Sequence, residues 1–318
     1  MQLARLTLKQ LRVFLAVTSA GSTTAAGKQI GLSQSAVSSA VQELELALGV
    51  LLFDRFGKRM VPNDAARALE NRARALLQDA VAFENAARGE SHRHALRIGA
   101  STTIGNYVLP NLLATFYGRD ARSQEQESWR SEIRIANTAD ICRAVADFDL
   151  DVGVVEGPTH ESAVHAIPWL RDEMLIVAAK DDEFARTPEP ITREALRHAT
   201  WLLREPGSGT REVADLMLLP HLQEYQRVRV LASSEAIKRA AAAGLGVACL
   251  SRWVVDEMLA DGRLRALVTE VPVLKRQCYV VMHCARLPTP VMSEFLDVLE
   301  RARIQAAAAQ VTHREPAP

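Results

Sequence analysis

The stretch 22–59 constrains the fold more than any other part of the chain, because it has the pattern of two short helices, a tight turn and a basic hairpin. Ser22 and Ser33 are residue types that favour the N-cap of a helix. Gly31 and Gly49 stand where helices commonly end, since glycine tolerates the left-handed conformation there. This order of elements predicts a winged helix-turn-helix.

The second helix of this stretch carries its apolar residues on one stripe. Val37, Val41, Leu44 and Leu48 follow one another at spacings of four, three and four, which is the period of a helix with one buried face. The opposite face has small, uncharged side chains that can donate or accept hydrogen bonds, as contacts to base edges in a major groove require. These side chains are Ser33, Gln34, Ser35, Ser38 and Ser39.

The hairpin that follows concentrates positive charge beside this helix. Arg55, Lys58 and Arg59 flank Gly57, so we expect a wing that contacts phosphates or the minor groove. A helical packing unit without nucleic acid is the alternative, but the small polar helix face and the clustered cations favour DNA. Residues 1–64 carry seven basic and four acidic side chains, a net charge of +3, so useful affinity requires a dimer.

Four short motifs in this stretch resemble a known family. They are Ser22-x-Thr24-x-Ala26, Leu32-Ser33-Gln34-Ser35-Ala36-Val37-Ser38, Leu44-Glu45-x-x-Leu48-Gly49 and Leu52-Phe53-x-Arg55. Together they resemble the N-terminal signature of LysR-type transcriptional regulators, and Thr23 and Gly27 depart from its usual residues. The resemblance implies a homodimer or a tetramer built as a dimer of dimers, with double-stranded promoter DNA and RNA polymerase as partners.

Composition limits where such a protein acts. The 318 residues suffice for two or three domains, and 38 basic side chains balance 38 acidic ones. The N-terminal segment is an amphipathic helix rather than a signal peptide, and no run approaches the roughly 18 apolar residues of a membrane span. We therefore expect a cytoplasmic, nucleoid-associated protein with no membrane partner. Its four cysteines show no CxxC spacing and are expected to be reduced and mostly buried, with a redox pair between Cys278 and Cys284 left open.

A long helix should follow the wing, from about residue 65 to 88. Its apolar positions Leu69, Ala73, Leu76, Ala80, Phe83 and Ala87 alternate spacings of four and three, as in a heptad seam. A helix that lies on its own domain is the alternative, because alanine fills three of these positions. A dimerising linker is the better interpretation, and we expect Leu69, Leu76 and Phe83 to form its contacts.

From Leu96 onward, short apolar strands alternate with helical patterns, which is typical of a parallel α/β sheet with crossover helices. The family resemblance implies that this region is a two-lobed effector domain, similar in fold to a periplasmic binding protein. The predicted organisation is a DNA-binding domain at 1–64, a linker at 65–90, an effector domain at 91–305 and a flexible tail at 306–318. Within the effector domain, lobe 1 takes about 95–168 and 272–303, and lobe 2 about 169–271.

Three segments of this region place hydroxyl groups and helix N-termini after strands, where ligands of open α/β sheets bind. Each could be plain helix capping, but three together predict a cleft for a small anion. A carboxylate after a further strand faces the same edge. The predicted effector residues are Ser101, Thr102, Thr103, Asn137, Thr138, Glu156, Arg204, Ser208 and Thr210.

The sequences around these residues also resemble regulators of cysteine and sulfite metabolism and of carbon fixation. That resemblance implies a sulfur oxyanion such as sulfite, or a small carboxylate or phosphorylated metabolite, as effector. Enzyme motifs fail, because His160 and His165 are five apart rather than four, no lysine follows Gly207-Ser-Gly-Thr210, and no nucleophile elbow occurs. We therefore expect no catalytic residue, no metal and no cofactor. A free-standing solute-binding protein is the second rival, and the DNA-binding motif argues against it.

Overall fold

A computed structural model describes residues 5–57, 59–87, 96–118 and 132–312. The chain divides into two compact units, and each is treated by itself. The first contains the described residues up to Ala87 together with 147–149, and the second contains the remainder. Within the described ranges, no helix combines the length and the apolar character that crossing a membrane would require.

The first unit begins with three helices, α1 (Leu8–Ala20), α2 (Thr23–Ile30) and α3 (Gln34–Leu48). Ser22 and Ser33 cap α2 and α3 as predicted, because their hydroxyls accept hydrogen bonds from the third residue of each helix. Gly31 and Gly49 end these helices with φ angles of 73° and 71°, a region that only glycine enters without strain.

An antiparallel hairpin follows, formed by β1 (Phe53–Phe56) and β2 (Arg59–Pro62). Gly57 lies in its turn with φ 63°. The second strand is tied to the helices, since the Met60 N–H donates to the Gly21 carbonyl at 2.9 Å. This is the winged helix-turn-helix that the sequence predicts.

The long helix α4 (Asp64–Ala87) completes the first unit. Asn63 caps it by accepting from the Ala66 N–H at 3.0 Å. The predicted seam divides along its length, because Leu69 packs partly buried against the core of this unit. Leu76 and Phe83 are instead 50% and 78% exposed. The outward-facing apolar part of α4 therefore starts at Leu76.

The second unit contains nine strands and eight helices among the described residues. The strands are β3 (Arg97–Ser101), β4 (Glu132–Ala136), β5 (Val152–Glu156), β6 (Val164–Ala179), β7 (Thr200–Leu203), β8 (Arg227–Val230), β9 (Ala248–Ser251), β10 (Leu264–Ala266) and β11 (Leu274–His283). The helices are α5 (Thr102–Tyr107), α6 (Leu109–Gly118), α7 (Thr138–Ala146), α8 (Arg193–His198), α9 (Gly209–Leu222), α10 (Ser234–Ala242), α11 (Arg252–Ala260) and α12 (Pro290–Thr312).

The main sheet is mixed, so the expectation of a parallel sheet is only partly right. Strands β4, β3 and β5 pair in parallel, but β11 runs antiparallel to both β5 and β6. The order along the sheet is β10-β6-β11-β5-β3-β4, with β9 on β6, while β7 and β8 form a separate parallel pair. The sheet is mixed because no helix lies between β10 and β11, and a parallel pairing normally requires a crossover connection such as a helix.

Among the described residues, four apolar clusters fill this unit, and the two largest mark its two lobes. Lobe 1 surrounds β3, β4 and β5, with Ile98, Phe116 and Phe295 in its interior. Lobe 2 contains β7 to β10, with Trp201 and Leu218 in its interior. The long strands β6 and β11 pass from one lobe to the other, and their pairing shifts register between Gln277 and Tyr279. The ends of β3 and β5 meet the start of α9 next to β11, where Ser101, Glu156 and Thr210 are in contact.

Candidate functional site

Helix α3 presents the predicted polar face to solvent. Gln34, Ser35 and Ser39 are exposed, and Ser38 is half-buried. The Gln34 amide donates to the Thr23 hydroxyl at 3.2 Å, so the departure from the family pattern at Thr23 supplies a hydrogen-bond partner. Ser33 is exposed as well, but its hydroxyl caps α3 and lies 3.0 Å from that of Ser35.

The wing is joined to α3 by a contact that the sequence interpretation missed. The buried Glu45 carboxylate accepts from the Leu52 N–H at 2.8 Å and the Phe53 N–H at 3.3 Å, which holds the start of β1. Its other oxygen lies 3.8 Å from the half-exposed Arg55 guanidinium. Arg59 is also exposed, while Lys58 lies outside the described residues. The signal in the sequence was an acidic residue at helical spacing from Val41 and Leu48, which marks the position but not the groups that it contacts.

In the second unit, the predicted hydroxyls converge on the carboxylate of Glu156, which is 1% exposed at the end of β5. Ser101 at the end of β3 donates a hydrogen bond to one carboxylate oxygen. Thr210, in the first turn of α9, donates to the other at 3.3 Å. We call Ser101, Glu156, Thr210 and Arg276, together with the buried Thr103 two residues after Ser101 at the start of α5, the cradle.

Arg276 is the member of the cradle that the sequence interpretation missed. Its guanidinium is fully buried and lies 2.7 Å from the Asp172 carboxylate and 3.7 Å from that of Glu156. It also donates to the Thr210 hydroxyl at 3.0 Å. Asp172 in turn accepts from Ser251 at 3.0 Å. The signal in the sequence was a short run of charged residues inside each of two long apolar strands, 171–173 in β6 and 275–276 in β11. Asp172 and Arg276 are direct cross-strand partners.

Burial governs the charge state of this cluster. It raises the pKa of Asp172, and the nearby Glu156 carboxylate acts in the same direction, although the Arg276 guanidinium acts against it. The cluster contains one guanidinium and two carboxylates, all almost inaccessible to water. A buried cluster of this kind responds strongly to any added charge.

Helix α9 approaches β5 closely at this point. A side chain at Gly209 would place its Cβ 1.9 Å from the Glu156 carbonyl oxygen, so only glycine fits there. The same carbonyl accepts from the Thr138 hydroxyl at 2.9 Å. Ser208 is the buried N-cap of α9, yet its side chain makes no capping hydrogen bond, and the same is true of Ser101 on α5. Plain capping therefore does not account for these two serines.

The remaining predicted residues lie around the cradle. Asn137 does cap its helix, by accepting from the Asp140 N–H at 2.9 Å, so capping explains it. Thr102 donates to the Ala136 carbonyl at 3.2 Å and accepts from Arg204 at 3.5 Å. The buried Arg204 is further held by Glu205 at 2.8 Å and Ser234 at 2.8 Å.

Two polar atoms of the cradle lack partners. Among the residues that the structure describes, the Thr103 hydroxyl and the Arg276 Nη2 are buried with no hydrogen-bond acceptor or donor opposite them. Buried polar groups are nearly always paired, so each such atom requires an explanation. A bound ligand with acceptor oxygens would satisfy both.

A second ionic cluster joins the lobes at one side. The Tyr107 hydroxyl of α5 donates to the Glu235 carboxylate of α10 at 2.6 Å, and Lys238 lies 2.7 Å from the same carboxylate. Burial by itself would raise the pKa of Glu235, but the hydrogen bonds from Lys238 and Tyr107 outweigh it and lower the pKa to about 2. Of the two histidines of the rejected zinc motif, His160 bonds the Glu212 carboxylate at 2.7 Å.

Comparison with known proteins decides the family. The family described as "Bacterial regulatory helix-turn-helix protein, lysR family" matches residues 8–67, and the "LysR substrate binding domain" matches residues 89–303. The chain belongs to the LysR family. It is thus a LysR-type transcriptional regulator with an effector-binding domain, not an enzyme, and members of the family bind promoter DNA, form oligomers and use small-molecule effectors.

Similar proteins cover nearly the whole chain. The uncharacterized HTH-type transcriptional regulator YeiE of Escherichia coli K12 is 42% identical over 299 residues, 94% of this chain and 99% of YeiE. The regulator CbbR of Rhizobium meliloti is 32% identical over 91% of each chain. The regulator CysL of Bacillus subtilis is 30% identical over 84% of this chain and 88% of CysL.

Solved structures agree with the fold. ArgP from Mycobacterium tuberculosis superposes with a TM-score of 0.68 at 20% identity, covering 92% of this chain and 96% of ArgP. The regulatory domain of CcmR from Synechocystis, solved in complex with 2-PG, superposes with a TM-score of 0.57 at 27% identity. It covers 66% of this chain and 97% of the CcmR domain.

Proposed function

We propose that a small anion bound at the cradle modulates the affinity of this LysR-type regulator for promoter DNA. The observation that carries the proposal is the pair of buried atoms without partners, the Thr103 hydroxyl and Arg276 Nη2. Both can donate hydrogen bonds to an acceptor oxygen. The hydroxyls of Ser101 and Thr210 and the Arg276 guanidinium lie around the Glu156 carboxylate, and Thr103 follows Ser101 by two residues in the chain.

The relatives suggest the chemistry of the anion. The similarity to CysL supports a sulfur oxyanion such as sulfite, and the similarity to CbbR supports a small carboxylate or phosphorylated metabolite. The CcmR regulatory domain was solved in complex with 2-PG, which favours the second group for that neighbour. A compact oxyanion suits the cradle better than an extended metabolite, because Ser101, Thr210 and Arg276 are buried and converge on one carboxylate.

For DNA recognition, the exposed Gln34 and Ser35 and the half-buried Ser38 of α3 are proposed to read bases, with Ser33 and Ser39 at the edges of the contact. Arg55, Lys58 and Arg59 are proposed to contact phosphates. Leu76 and Phe83, both exposed on α4, are proposed to pair two chains, with Leu69 at the start of the seam. A tetramer, contact with RNA polymerase and residence at the nucleoid are further parts of this proposal.

Isothermal titration calorimetry of the full-length chain with sulfite, thiosulfate, phosphate and small carboxylates tests the effector site. Thr103→Ala removes one hydrogen bond to a charged acceptor and should weaken binding by roughly 0.5–3 kcal/mol. Thr103→Glu adds a like charge and bulk to the cradle and should abolish binding.

A matched control is Thr115→Glu, a threonine exposed on α6 in the same lobe, which should bind the anion like wild type. If wild type binds an anion and Thr103→Glu binds it equally well, the effector site lies elsewhere. If wild type binds none of the anions, the proposed class of effector is wrong.

A further inference from the structure

The centre of the cradle is already occupied by a negative group of the protein itself. The Glu156 carboxylate accepts the hydrogen bonds of Ser101 and Thr210, the same donors that an effector oxygen would use. A site that binds a bare anion gains most when every group in contact with it is a donor. This site instead holds one buried acceptor among its donors.

The groups that face Glu156 come from every element packed against it. Ser101 faces the Glu156 carboxylate from β3, Thr210 from α9 and Arg276 from β11. Thr138 of α7 bonds the main-chain carbonyl of Glu156, and Cys278 of β11 is its cross-strand partner. Behind Arg276, the Asp172 carboxylate of β6 engages the same guanidinium at 2.7 Å. One guanidinium thus faces two carboxylates in the cluster.

An anion that enters such a cluster meets a fixed acceptor at close range. If the anion has no proton, two negative oxygens face each other in a medium of low dielectric constant, and their repulsion opposes binding. If the anion keeps one acidic proton, its O–H donates to the Glu156 carboxylate, and the repulsive contact becomes a charge-assisted hydrogen bond. Its other oxygens still accept from Thr103 and Arg276.

We propose that Glu156 restricts the effector site to oxyanions that retain one acidic proton, such as bisulfite, hydrogen phosphate or bicarbonate, and rejects sulfate. The inference rests on the proposed anion site and adds the feature that sorts its ligands. The four-oxygen shape is shared by sulfate and hydrogen phosphate, so the proton and the Glu156 carboxylate separate them. Glu156 is a specificity-determining residue in this account.

The test compares hydrogen phosphate, bisulfite, bicarbonate and sulfate on the full-length chain by calorimetry at constant ionic strength. Wild type should bind at least one proton-bearing anion about tenfold or more tightly than sulfate, since the lost hydrogen bond involves two charged groups. Glu156→Gln turns the acceptor into a group that also donates, so sulfate should gain affinity until the two classes differ by about threefold or less. The control variant is Glu294→Gln, which makes the same substitution at an exposed residue of α12 and should keep the wild-type preference among the anions.

A second measurement needs no variant. Sulfite exchanges its proton near neutral pH, so its apparent affinity for wild type should rise as the pH falls and bisulfite accumulates, whereas sulfate should show no such gain. Sulfate that binds wild type as tightly as hydrogen phosphate and bisulfite would overturn the inference while leaving the anion site intact. Failure of all four anions to bind wild type would instead contradict the proposed site. A Glu156→Gln protein that still rejects sulfate would assign the selection to another group.

Discussion

Arg276 should be the side chain on which the effector domain depends most strongly. Arg276→Met keeps much of the side-chain volume but leaves the Glu156 and Asp172 carboxylates buried without their cation, from which they lie 3.7 and 2.7 Å. Removing one partner of a buried ion pair costs about 3–5 kcal/mol, and two stranded carboxylates place this variant at the upper end. At about 2–4 °C for each kcal/mol, the melting temperature of the domain should fall by roughly 6–20 °C.

Tryptophan fluorescence during urea or thermal unfolding measures this effect, because all four tryptophans follow residue 128 and report on the C-terminal region. The triple variant Arg276→Met, Glu156→Gln, Asp172→Asn removes the charges together and should recover most of the loss. Arg263→Met, whose guanidinium pairs with Asp261 at the surface, is the control and should change stability by less than about 1 kcal/mol. A loss below about 1 kcal/mol for Arg276→Met would refute the buried charge cluster.

Four further outcomes are expected. Gln34→Ala should weaken binding to a selected operator by roughly 1–3 kcal/mol in fluorescence anisotropy and leave binding to random DNA nearly unchanged; equal losses would make Gln34 a backbone contact. Leu76→Glu should convert the dimer to monomer in sedimentation, whereas a dimeric variant would exclude this seam. The lowered pKa of Glu235 means that its carboxylate stabilises the fold above pH 4.5, and this contribution is lost as the pH falls toward 2. The free energy of unfolding of Glu235→Gln should therefore fall less than that of wild type between pH 4.5 and pH 2. An equal fall in both proteins would contradict the assignment. Cys284 should react first with a thiol reagent in the folded protein, because it is exposed while burial raises the pKa of Cys249 to about 12; rapid labelling of Cys284→Ser would disprove this.

The DNA-binding unit could be predicted because its signals are local. Ser22 and Ser33 begin helices, Gly31 and Gly49 end them, and each acts within a few residues of its own position. The apolar stripe of α3 specifies which face is buried and therefore which face is exposed. The support that Glu45 gives to the wing could not be predicted, since it depends on a carboxylate turning inward to backbone groups of the next segment.

Only those residues of the effector site that lie at the ends of strands could be predicted from the sequence. Ser101 ends β3 and Glu156 ends β5, and these two strands are parallel neighbours. Their side chains therefore meet at one edge of the sheet, as the α/β pattern predicts. Arg276 and Asp172 are separated by 104 residues along the chain and meet through an antiparallel pairing that periodicity does not reveal. The antiparallel pairing of β11 also makes the main sheet mixed, whereas the local alternation of strands and helices predicted a parallel sheet. Local patterns do not reveal the direction in which a distant strand joins the sheet.

The central claim is that an anion in the cradle changes DNA affinity. Its most direct test is fluorescence anisotropy of the full-length chain on an operator selected from genomic fragments, with and without saturating sulfite or phosphate. Wild type should change its DNA affinity with at least one of these anions by about 5- to 150-fold, the usual range of allosteric coupling. Thr103→Glu should bind the same DNA with unchanged affinity in the presence and absence of that anion. An equal response in Thr103→Glu, or no response of wild type to either anion, would contradict the account.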